Sequence, residues 1–137
     1  MISMRNHLTI AGLVLVLAFT NGCDSDSNPI APSNQPEVAN ATDTFQFQAS
    51  NVARTTQTLT YSWTNTGSVA DVNQSGQITS GEAVLTIRDG SNAQVYSRDL
   101  KNTGTFTTSS GAMGTWRIEV RLTDVTGTLN FRVQKRS

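Results

Sequence analysis

Histidine and cysteine are almost missing from this chain: its 137 residues hold one of each, His7 and Cys23. A single cysteine excludes an internal disulfide. With His7 inside a leader that is cut away, the remaining chain has no imidazole. That excludes Ser-His-Asp and Cys-His nucleophiles and any His-ligated zinc. Proline is confined to Pro29, Pro32 and Pro36. Charge of either sign is sparse and balanced, ten Lys+Arg against ten Asp+Glu, so nothing draws the protein to nucleic acid or another polyanion. No apolar run after the first 22 residues approaches the length of a membrane span.

What is present begins with that leader. Arg5 flanks an apolar stretch, LTIAGLVLVLAF, too short to span a bilayer comfortably but suited to the core of a signal peptide. We assign 1–22 to the signal peptide. Cys23 follows at once, and an unpaired thiol at the start of an exported chain calls for a covalent explanation. Residues 23–42, with all three prolines and little to bury, read as a lipidated N-terminus and disordered tether.

The tetrapeptide TNGC, with Thr20 where the pattern usually has Leu, resembles the lipobox of bacterial lipoproteins. In that family the cysteine becomes the acylated N-terminus. The resemblance implies lipidation at Cys23, with palmitate-type acyl chains contributing ~0.8 kcal/mol for each buried CH₂. It also implies an extracytoplasmic domain on a cell-envelope membrane, with inner and outer membrane both open. Asp24, next to the cysteine, resembles the inner-membrane retention signal of enterobacterial lipoproteins.

From Asp43 onward apolar residues recur with period two. Phe45, Phe47 and Ala49 alternate with Gln46 and Gln48; Leu59, Tyr61 and Trp63 alternate with Thr60 and Ser62. VLTIR-DGSN-AQVYSRDL reads as a hairpin in which either Val95 or Tyr96 turns inward. A short strand surrounds Phe106. WRIEVRL and TLNFRVQ alternate cleanly, and DVTG between them reads as a turn. The expectation is all-β: an antiparallel β-sandwich, jelly-roll or Ig-like, of about 7–8 strands over 43–137. The closing GTWRIEVRLTDVTGTLNFRVQK resembles the final hairpin of pre-peptidase C-terminal domains and proprotein-convertase P-domains, which implies an accessory module and no particular ligand.

Candidate chemistry is thin. The leaderless chain has eight aromatic residues, and all but Tyr96 share the register of core positions. A carbohydrate-binding module, the main alternative function, would therefore rest on Tyr96. DVNQSGQITSGE (71–82) meets every mark of a calcium loop, with Asp71, Asn73, Ser75 and Glu82 as side-chain ligands and Gly76 at the sharp turn. Strand-like neighbours replace the flanking helices of an EF-hand, leaving a weak calcium loop between strands as a further alternative. Arg117, Arg121 and Arg132 form a potential outward stripe, interrupted by Glu119. The sequence implies no enzyme and no cofactor. The expected function is a membrane-anchored, non-catalytic structural or protein-binding role in the cell envelope, with an envelope protein or glycan as partner.

Overall fold

Alternation continued far beyond the usual strand length produces the two elements that organise this fold. In the computed structural model, which describes residues 30, 31 and 34–137, the strands are β1 (Glu37–Ala41), β2 (Thr44–Asn65), β3 (Ala70–Gln74), β4 (Gln77–Arg88), β5 (Gln94–Asp99), β6 (Gly104–Thr107) and β7 (Gly114–Lys135). All pairings are antiparallel, and no helix joins them. β2 and β7 have 22 residues each and pair along their whole length, from Thr44↔Gln134 to Asn65↔Gly114.

This long ribbon is folded in half. Register shifts interrupt it between Ala49 and Gln57, and positive φ values concentrate there: 55° at Asn51, 42° at Arg54, 48° at Asp124 and 138° at Gly127. Bulges of this kind bend a strand and increase its twist. At Gly127 a Cβ would come within 2.2 Å of the Gln77 carbonyl oxygen, and at Gly81 within 2.1 Å of the Asp124 carbonyl oxygen. Only glycine permits β4 and β7 to cross so closely at the corner.

The corner divides the hydrogen-bonded sheet into two arms. In the first, β1, the N-terminal arm of β2 (44–49), the C-terminal arm of β7 (129–135), β3 and β6 lie in that order. In the second, the C-terminal arm of β2 (57–65), the N-terminal arm of β7 (114–122), β4 and β5 are neighbours. The arms close on each other as a sandwich. Tyr61 of the second arm lies 5.4 Å from the Phe45 ring and 6.0 Å from the Phe47 ring of the first, centroid to centroid. Phe131 stacks on Phe47 at 5.1 Å, and Trp63 meets Trp116 edge-on at 5.9 Å. These rings form the apolar centre that the alternation predicts.

Three sequence expectations change. DVTG is the corner of a continuous strand rather than a hairpin turn, because β2 bends alongside it and keeps pairing on both sides. The folded part begins before residue 43. β1 occupies Glu37–Ala41, and Ile30 is only 4% exposed within the core, its N–H donating to Gln57 Oε1 at 3.1 Å. The described part of 23–42 therefore includes a paired strand and one core residue. Val95 and Tyr96 are both buried, because a bulge opposite Ile87 and Arg88 makes Val95 an extra residue and returns Tyr96 to the inner face opposite Ile87.

Candidate functional site

The outer face of the first arm is a grid of mostly uncharged polar side chains. Cross-strand register places Gln46, Arg132, Asn73 and Thr105 in one row, and Thr44, Gln134, Asp71 and Thr107 in the next. All of these but Thr44 and Thr107 line a shallow depression of about 470 Å³. The groups largely satisfy one another. Arg132 Nη2 donates to Gln46 Oε1 at 3.3 Å, Asn73 Nδ2 to Thr105 Oγ1 at 3.0 Å, and Thr107 Oγ1 to Asp71 Oδ1 at 3.0 Å. Arg136 Nε stands 3.9 Å from the same Asp71 oxygen.

The outer face of the second arm holds a separate depression of about 400 Å³, lined among others by Glu82, Thr86, Arg88, Glu119 and Arg121. Arg121 and Glu119 approach to 3.6 Å. Exposed pairs of this kind contribute little to stability, roughly 0–1 kcal/mol.

The proposed calcium ligands are thus divided between surfaces. Asp71 and Asn73 belong to β3 and line the first depression together with Ser75, whereas Glu82 belongs to β4 and lines the second. The stretch read as a loop is two strands joined by a short connection. Among the described residues, no cluster of three or more His, Cys, Asp or Glu is placed to hold a metal ion. The arginine stripe is divided as well, with Arg117 and Arg121 on the second arm and Arg132 on the first.

Tyr96 does not offer its ring to a sugar. It is 7% exposed, its hydroxyl donates to Gln74, and burial raises its phenol pKa above the ordinary value. Tyr61 and Phe106 are the partly covered rings, both packed against the core. Arg98 closes the β5–β6 side of the sandwich, its guanidinium carbon 3.9 Å from the Phe106 ring centroid. Cys23 lies outside the described residues.

The site that sequence reasoning missed lies on the opposite side, where β1 runs beside the C-terminal arm of β2. At one end the two are fastened together. Asn40 Nδ2 donates to Ser62 C=O at 2.8 Å, Trp63 Nε1 to Ala41 C=O at 3.0 Å, and the Asp43 N–H to Thr64 C=O at 2.9 Å. At the other end Ile30 is tied to Gln57. Between these ties lies a seam where no described strand pairs with the outer edge of this arm, and Val38, Leu59 and Tyr61 are incompletely buried. Its sequence signal was the uncharged run QTLTYSW, visible only as one strand among several. No family model matches the chain, and no curated relative matches it.

Proposed function

We propose that the protein is a lipid-anchored, extracytoplasmic β-sandwich of a bacterial cell envelope, with a non-catalytic role as a structural or protein-binding module. The observation that carries this reading is the placement of Cys23, directly behind the apolar leader and seven residues ahead of Ile30, the first buried residue among those described. Seven residues reach about 25 Å when fully extended. Acylation at Cys23 would hold the Ile30 end of the sandwich beside the bilayer, with acyl chains as the membrane partner. Surface amides and hydroxyls that bond to one another, and an open sheet edge, suit a binding module better than a reaction centre.

Intact mass spectrometry of the protein isolated from bacterial membranes tests the anchor. The expected result is a chain beginning at Cys23 with a diacylglyceryl adduct, and Cys23→Ser should move the protein from the detergent phase to the aqueous phase. An unmodified Cys23 thiol in the mature protein would refute the reading.

A further inference from the structure

Among the described residues, no strand fills the seam between β1 and the C-terminal arm of β2. Asn40 and Asp43 bond to the carbonyls of Ser62 and Thr64 from outside the sheet, which shows that even-numbered residues of this arm direct their backbone groups away from β7. The N–H and C=O of Thr58 and Thr60 and the N–H of Ser62 therefore point into the seam, and no described residue pairs with them. Beside them is incompletely covered apolar surface. Val38 lies opposite Phe47 in register and so shares its inward side, yet it is 38% exposed while Phe47 is fully buried. Leu59 and Tyr61 are only partly buried.

Free sheet edges are normally guarded by charge, shortness, proline or bulges. β5 carries Arg98 and Asp99, β6 has four residues and begins with Gly104, and β1 carries Glu37. The arm from Gln57 to Asn65 has no charge, proline or glycine. It is the unguarded edge among the described strands, and it adjoins exposed apolar side chains.

We propose that this seam binds an extended segment of a partner protein by strand addition. Backbone groups of Thr58, Thr60 and Ser62 would form the ladder, while alternate apolar side chains of the partner cover Val38, Leu59 and Tyr61. The segment Asp24–Pro29 of this chain has two aspartates and no aliphatic or aromatic residue, so it cannot supply that apolar face. A single strand with uncharged, alternating apolar and polar residues fits both the ladder and the lining. This inference deepens the binding-module reading by naming its partner class. Its failure would leave the Cys23 result unchanged.

The test uses the full chain in detergent and a capped synthetic heptapeptide of alternating Thr and Val, with residue-level hydrogen exchange as the readout. Without peptide, the amides of Thr58, Thr60 and Ser62 should exchange as exposed edge amides do. Saturating peptide should slow them at least about tenfold. Thr60→Pro removes one donor at a position where an edge tolerates proline, and it should abolish binding. Val38→Lys, a change at a partly exposed side chain, should weaken binding at least about tenfold and serves as the second variant if the proline disturbs folding. Three results would each overturn the proposal: amides already protected in the free protein, no saturable binding at millimolar peptide, or binding unaffected by Val38→Lys.

Discussion

The hydroxyl of Tyr96 donates to Gln74 Oε1 at 2.6 Å, and both side chains are buried. Gln74 Nε2 in turn donates to the Asp99 and Asn102 carbonyls at 3.0 and 2.6 Å. One glutamine of β3 thereby fastens the first arm to β5 and to the connection leading into β6. A tyrosine that could have been a surface ring is a structural donor between the two arms.

Replacing Tyr96 with Phe keeps the ring and leaves the Gln74 carbonyl oxygen buried without a donor. The expected loss is about 1–3 kcal/mol of unfolding free energy, measured by urea denaturation. The Tyr96→Phe/Gln74→Met double variant should lose less than the sum of the single changes. Strict additivity would show that the two side chains are not coupled.

Asp89 ties the β4–β5 turn to the connection between β6 and β7. Its carboxylate accepts the N–H of Ala112 on one oxygen and those of Ser91 and Ala93 on the other, all at 2.8–2.9 Å. The Ala112 and Ala93 hydrogen bonds, followed by that of Ser91, hold its pKa below the ordinary carboxylate value against the opposing effect of burial. Because the folded-state pKa is depressed, its stabilisation is fully present above the unfolded value of about 3.9. It is lost as pH falls through the lower folded-state value. Asp89→Asn should lower the thermal midpoint at pH 7, and the gap from wild type should narrow below about pH 4. A gap that stays constant down to pH 2 would remove the carboxylate from the explanation.

Ile30 tests where the domain begins. Truncating a buried Ile to Ala costs about 2–5 kcal/mol, so Ile30→Ala should shift the urea midpoint clearly. A residue in an unstructured tether would show no shift. A chain beginning at Thr42 should be weaker still, since it loses both Ile30 and β1.

The inward faces were legible because pleating is local: successive side chains point to opposite sides wherever a strand lies. Phe45, Phe47, Trp63, Trp116 and Phe131 all occupy the core positions their spacing predicts. Partners were less legible. DVTG carries the same residues whether it closes a hairpin or bends a strand, and positive φ at Asp124 and Gly127 serves either purpose. What decides between them is β2, some seventy residues away along the chain, which bends at the same place. The calcium spacing failed for a similar reason. Asp71 and Glu82 are near in sequence, but the chain passes from one arm to the other between them.

The sequence by itself determined the class, an antiparallel all-β chain with one apolar side to each strand, because that information lies in neighbouring residues. Only the tertiary structure decided that two long strands fold over a shared corner, that a bulge turns Tyr96 inward, and that Ile30 belongs to the core. It also decided that the edge at Thr58–Ser62 is unpaired among the described residues. Each depends on contacts between residues distant in the chain, and strand pairing is the interaction that local periodicity cannot specify.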